Sequence, residues 1–128
     1  LIEKFIPGRE ITVGVLGTEA LPIVEIIPHE GFYDYQHKYS KGHTEYECPA
    51  DIPEHDTEFI QSLAATAHHV LGCTAYSRVD FRLDDDGAPF CLEVNTLPGM
   101  TSQSLLPKAA AAVGIEFAEL CEKIIELS

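Results

Sequence analysis

Between Tyr76 and Ser104 the sequence sets a guanidinium, two acids and an amide at alternating positions: Arg78 and Asp80, then Glu93 and Asn95. Side chains on a strand alternate between faces. Val79, Phe81 and Leu83 therefore share one face of a strand over Ala75–Leu83, and Phe90, Leu92 and Val94 share one face of a second over Pro89–Asn95. Asp84-Asp85-Asp86-Gly87 between them is a hairpin turn signal. With both apolar sets on the core side, the register puts Arg78, Asp80 and Arg82 on the opposite face, together with Cys91, Glu93 and Asn95. Asp80 and Glu93 then meet across the hairpin. Like charges so placed are destabilising, and two close carboxylates call for a shared proton or a cation. Apart from Cys91 the donors are oxygens. Hard oxygen ligands select Mg²⁺ or Mn²⁺ over zinc, and a small protein ligand set suits Mg²⁺, which completes its shell with phosphate and water. Arg78 can neutralise charge developing on a transferred phosphoryl group. The plainer alternative is a solvated sheet face with ordinary Arg–carboxylate pairs.

Thr96–Ser104 follows directly. Pro98-Gly99 makes a turn leading into a helix, and a glycine permits close backbone approach. Helix N-termini bind anions. Ser104 at such an end can hold a substrate carboxylate while the Gly99 N–H faces an oxyanion. A simple turn with Ser104 as N-cap is the other reading.

These residues need elements to position them. Ile2–Phe5, Ile11–Leu16 and Leu21–Ile27 read as strands, separated by turns at Pro7-Gly8 and Gly17-Thr18. Gly31–Gly42 carries Phe32, Tyr33, Tyr35 and Tyr39 among charges and has neither period, which predicts a long loop of the kind often used for function. Thr44–Cys48 reads as a short strand. Pro53–Leu71 is a helix with Phe59, Ile60, Leu63, Ala67, Val70 and Leu71 at helical spacing, stopped by Gly72. Ser104–Val113 and Phe117–Leu127 are further helices, the last with Phe117, Leu120, Cys121, Ile124 and Ile125 on one face. The expected class is α+β, an antiparallel sheet with three helices, in a single domain over 1–128.

The chain has 128 residues, a formal net charge of -13 and 45% apolar residues. That length is one domain's worth, and the acidity argues against a nucleic-acid partner, whose phosphates need Lys and Arg. It suits divalent cations, or solubility alone. No apolar run approaches the ~20 residues of a membrane span, and no signal peptide is evident. Cys48, Cys73, Cys91 and Cys121 form no CxxC pair and read as reduced and mostly buried, hence cytoplasmic. No zinc spacing occurs among the histidines. Strand-like sequence by Ile2 suggests part of a longer polypeptide.

Arg78-Val79-Asp80, followed by Glu93-Val94-Asn95-Thr96-Leu97-Pro98-Gly99-Met100-Thr101, resembles the signature of the D-alanine–D-alanine ligases of the ATP-grasp superfamily. Gly8–Val13 and Phe32–Tyr39 resemble the same family, and matching segments run from about Glu3 to about Leu127. The resemblance implies the C-terminal lobe of an ATP-grasp fold. It implies that Glu93 bridges two Mg²⁺ (or Mn²⁺) ions, with Asp80 on one and Asn95 on the other. It implies that Arg78 and the Gly99 amide stabilise a tetrahedral oxyanion, and that Ser104, with Leu105 beside it, holds the carboxylate of a second D-alanine. Lys38 and Tyr39 would lie on a closing loop, Lys38 reaching ATP phosphate. Glu3 and Glu10 would bind adenine amine and ribose, and the backbone at Lys4 and Ile6 the adenine edge. Lys38-Tyr39 and Ser104-Leu105 resemble the D-alanine-adding members rather than the D-lactate-adding ones.

The implied reaction phosphorylates the carboxylate of one D-alanine with ATP, and the amine of the second attacks the acyl phosphate. Loop closure excludes water. The setting implied is peptidoglycan precursor synthesis in bacterial cytoplasm, by a full-length homodimer with no membrane partner. The family's N-terminal domain and central lobe have no counterpart in these residues, so little ligase activity is expected of them alone. A D-alanine–D-lactate ligase or another ATP-grasp carboxylate–amine ligase is one alternative. A non-catalytic acidic module binding calcium or a basic partner is another, although Asp84–Gly87 is too short for an EF-hand.

Overall fold

A computed structural model describes residues 2–28 and 44–128. Among them six strands form one antiparallel sheet and three helices cover it. The strands are β1 (Arg9–Leu16), β2 (Glu19–Ala20), β3 (Val24–Pro28), β4 (Thr44–Glu47), β5 (Tyr76–Leu83) and β6 (Pro89–Asn95). The helices are α1 (Glu54–Val70), α2 (Leu105–Ala112) and α3 (Phe117–Leu127). The sheet order is β4-β3-β1-β5-β6, with β2 pairing β1 off the main path. The expected α+β class and the antiparallel sheet hold.

Strand alternation divides the core in two. Ile11, Val13 and Val15 of β1 and Val79, Phe81 and Leu83 of β5 point to one side and pack with Ile60 and Ala64 of α1. On that side Arg9 Nε donates to Glu25 Oε1 at 2.8 Å, and Arg9 also holds the Asp51 carbonyl, tying β1 and β3 to the approach of α1. The second cluster joins Leu21 and Val24 to Leu106, Ala109 and Ala110 of α2 and Leu120 of α3. Gly14 explains how α2 fits there: a Cβ on it would stand 2.4 Å from a Leu106 methyl. Gly14 is the register partner of Arg78. Leu106 therefore docks one end of the polar face of the sheet, and the row from Thr12 and Asp80 to Glu10 and Arg82 continues beyond it.

Several expectations need correction. Residues 2–7 are not a strand. Both sides of β1, the strand they lead into, are already taken, by β3 and β5. The strand expected at Leu21 starts at Val24. Helix α1 buries Ile60, Ala64 and His68, while Phe59, Val70 and Leu71 are exposed. Of the α3 face only Leu120 is fully buried, and Phe117 and Ile125 are exposed. No cysteine is fully buried, and Cys91 is exposed. The Gly31–Gly42 loop lies outside the described residues.

Candidate active site

The β5–β6 ribbon places Asp80 directly opposite Glu93, and Arg78 directly opposite Asn95. The expected juxtaposition therefore holds at the four residues that matter. It does not hold further along β6. A bulge between Asp80 and Phe81 makes Leu92 the extra residue, so Cys91 pairs with Phe81 and Phe90 with Arg82. Cys91 is thus removed from the acidic face, and Phe90, expected in the core, registers there instead, 41% exposed. Burial, then the Asp80 charge, raises the Cys91 thiol above its ordinary range. Its register opposite Phe81, off that face, leaves the oxygens as the donor set.

Asp80 is held from two sides. Arg78 donates Nε to Oδ1 at 2.9 Å and Nη2 to Oδ2 at 2.8 Å. Thr12, buried on the adjoining strand, donates Oγ1 to Oδ1 at 2.5 Å. A carboxylate has about four lone-pair sites. These three bonds fill both on Oδ1 and one on Oδ2. The hydrogen bonds to Asp80 raise the Arg78 pKa, burial opposes them, and the charges of Asp80 and Glu93 add to the rise. The Glu93 side chain is exposed and forms no hydrogen bond or ion pair with another described residue. Asn95 Oδ1 accepts the Leu97 N–H at 3.0 Å, which fixes the amide at the start of the loop.

This donor set fits a hard divalent ion. Asp80 keeps one lone-pair direction on Oδ2, Glu93 keeps all of its own, and Asn95 Oδ1 keeps one. Among the described residues no three His, Cys, Asp or Glu side chains form a ligand cluster. Two carboxylates and an amide are too few to enclose an ion, and such a set leaves coordination positions to phosphate and water.

The loop from Leu97 to Ser104 brings Gly99 against Ser104: a Cβ on Gly99 would stand 3.0 Å from Ser104 Oγ. Ser104 occupies the N-cap position of α2, yet its hydroxyl makes no cap bond. It turns back to the loop, accepting the Thr101 N–H at 3.1 Å and lying 2.9 Å from Thr101 Oγ1. Either hydroxyl can donate in that pair, and when Thr101 donates the Ser104 proton is left for an incoming carboxylate. Leu105 opens α2, half-buried against the second core cluster.

Glu10 stands on β1 opposite Arg82, with Arg82 Nη1 3.7 Å from Glu10 Oε2. Glu3, Lys4 and Ile6 lie on the irregular segment before β1. Arg82 donates to the Ile6 carbonyl at 3.0 Å, which takes one of that oxygen's two lone pairs. Lys38 and Tyr39 lie outside the described residues. Thr12 and Phe90 were missed as site residues. Thr12 was open to inference from its place between Glu10 and Gly14 on one face, but Phe90 was hidden by the bulge.

A family model described as D-ala D-ala ligase C-terminus matches residues 1–126. The chain belongs to that family. Among relatives, a D-alanine–D-alanine ligase of Methylacidiphilum infernorum is 56% identical over 128 residues, covering 100% of this chain and 42% of the relative. That of Syntrophotalea carbinolica is 53% identical, covering 98% and 41%. The chain thus spans about two fifths of the length of the curated relatives it matches. Among solved structures, the Bacillus anthracis D-alanine–D-alanine ligase complexed with ATP superposes with TM-score 0.83 at 38% identity, covering 98% of this chain and 39% of that one. VanG, a D-Ala:D-Ser ligase from Enterococcus faecalis, superposes with TM-score 0.81 at 35% identity, covering 97% and 37%. The ATP-grasp lobe expected from the family signature is therefore the fold of this family member. No helix among the described residues is long and apolar enough to cross a membrane.

Proposed function

We propose that the polypeptide carrying this chain is an ATP-dependent ligase that joins two D-alanines into D-alanyl-D-alanine through an acyl phosphate. The observation that carries the reading is the pairing of Asp80 with Glu93 and of Arg78 with Asn95 on one ribbon, followed by a loop that packs Gly99 on Ser104. Asp80 Oδ2, Glu93 and Asn95 Oδ1 would hold two Mg²⁺ or Mn²⁺ ions, which would supply positive charge against the phosphates.

The chain's own groups do the rest. Glu3, Glu10 and the backbone at Lys4 and Ile6 bind the adenosine end of ATP, and Lys38 meets its phosphates. A carboxylate is a poor electrophile, so the first D-alanine is activated by phosphorylation. Ser104 donates its hydroxyl to the carboxylate of the second D-alanine, beside Leu105, and presents the amine to the acyl phosphate. Arg78 and the Gly99 N–H stabilise the oxyanion formed by that attack, and phosphate leaves. Tyr39 belongs to the loop that excludes water. The complete enzyme works as a homodimer in the cytoplasm, supplying peptidoglycan precursors.

A second reading changes only the second substrate. It rests on the likeness to a D-Ala:D-Ser ligase, and D-lactate is a further candidate. ATP with D-alanine alone, and then with D-serine or D-lactate in competition, separates these readings by product mass. D-alanyl-D-alanine as the main product supports the first, and a mixed product supports the second. No D-alanine-dependent phosphate release by the complete enzyme contradicts both.

A further inference from the structure

We propose that Arg82 is a positioning residue that locks the Phe5–Gly8 strap and Glu10 in an adenosine-binding conformation, and so sets nucleotide affinity rather than the rate of ligation. The inference rests on the ATP reading above and adds to it a residue with no part in the chemistry.

The strap has no ladder of its own, since residues 2–7 are irregular and β1 is paired on both sides. Its side chains give it little anchorage. Ile2 is fully exposed and Phe5 is 76% exposed. Among the described residues, the side-chain hydrogen bonds that hold it come from one guanidinium. Arg82 Nε donates to the Ile6 carbonyl and Nη2 to the Gly8 carbonyl, each at 3.0 Å. Nη1 lies 3.7 Å from Glu10 Oε2, and the guanidinium carbon lies 5.4 Å from the centre of the Phe5 ring.

Gly8 makes this reach possible. Its φ is +125°, and a Cβ there would stand 1.9 Å from the Leu83 carbonyl oxygen, so only glycine lets the strap lie this close to the end of β5. The Arg82 side chain is only 19% exposed, and Phe90 registers opposite it. Partial exclusion of water strengthens the bonds it makes. A lysine is a point charge without the planar fork that meets two carbonyls at once.

Arg82 reaches the strap and Glu10, the groups assigned to adenosine, and the ring of Phe5. Among the described residues it has no bond to Asp80, Glu93, Asn95 or Ser104. Loss of the fork therefore loosens one substrate's site and spares the other's.

The test measures Arg82→Met and Arg82→Lys in the complete enzyme, by steady-state kinetics and by calorimetric titration with a non-hydrolysable ATP analogue. For Arg82→Met the expected result is a rise of about tenfold or more in both KM for ATP and the analogue's Kd. KM for D-alanine should stay within about twofold and kcat within about threefold, with Arg82→Lys between wild type and Arg82→Met. An analogue Kd within about twofold of wild type, or equal rises in both KM values, overturns the proposal. If Arg82→Met does not fold, Arg82→Lys decides alone: a rise of about threefold in analogue Kd supports the proposal, and an unchanged Kd overturns it. A wild-type enzyme that binds the analogue yet makes no D-alanyl-D-alanine sinks the ligase reading and leaves the role of Arg82 to the titration. A wild type that binds no analogue overturns both.

Discussion

Arg78 grips both carboxylate oxygens of Asp80, at 2.9 and 2.8 Å, from two positions away on the same strand. The grip has two consequences. It orients Asp80 without a metal, and it points one remaining lone pair of Oδ2 away from the guanidinium. Arg78 keeps its charge in that arrangement and stays beside Glu93.

Thr12 completes the orientation by occupying Oδ1. Thr12→Val keeps the shape of the side chain and removes the hydroxyl. Groups that orient metal ligands are worth about 10- to 100-fold in metal affinity when lost. The Mg²⁺ concentration giving half-maximal turnover should rise by at least about tenfold in Thr12→Val and recover in Thr12→Ser. Metal titration of turnover checks this, and an unchanged midpoint would assign Thr12 to packing alone.

Gly14 couples the helix that presents Ser104 to the sheet that presents Arg78. In Gly14→Val the new Cβ would meet the Leu106 methyl 2.4 Å away and a Leu21 methyl 3.1 Å away. Overpacking of this kind costs about 1–3 kcal/mol. Chemical denaturation should show that loss, and KM for the second D-alanine should rise as α2 is displaced. Wild-type stability together with wild-type KM would contradict the docking role given to Gly14.

His68 is buried on the inner face of α1, with Nδ1 2.7 Å from Ser77 Oγ. Burial lowers its pKa below the ordinary value, only partly offset by the Thr74 backbone. The unfolded chain therefore binds this proton more tightly than the folded one. The stability that follows is complete above about pH 6.5 and is lost as pH falls from there to the lower folded value. One proton limits the slope to about 1.4 kcal/mol per pH unit. Denaturation midpoints measured from pH 7.5 to 5 should fall across that window, and His68→Gln should flatten the slope. A slope unchanged in His68→Gln would assign it to other groups.

The site was more legible in the sequence than its surroundings. Asp80 and Glu93 could be placed opposite each other because Val79 and Val94 must both face the core, and they pair as that argument requires. Two residues on, the same argument failed at Leu92, because alternation cannot reveal a bulge. Ile2–Phe5 has strand-forming residues, but pairing depends on a free neighbour, and β1, the strand the segment leads into, is already paired on both sides. The exposed Val70 and Ile125 fit a helical period as well as the buried Ile60 and Leu120 do. Period alone cannot say how wide a covered face is. The roles of Glu3 and Lys4 came only through family likeness, since an acid and a base on an exposed segment carry no chemical signature of their own.

The central claim is that Asp80, Glu93 and Asn95 gather divalent ions around nucleotide phosphates. Manganese titration of the complete enzyme with ADP, followed by electron paramagnetic resonance, measures this most directly, with Glu93→Gln as the comparison. The Glu93 side chain is exposed and bonds to no other described residue, so its substitution should leave the fold intact. The account predicts two bound Mn²⁺ per chain in wild type, at most one in Glu93→Gln, and ligation slowed at least about a hundredfold. Two tightly bound Mn²⁺ and normal turnover in Glu93→Gln would contradict it.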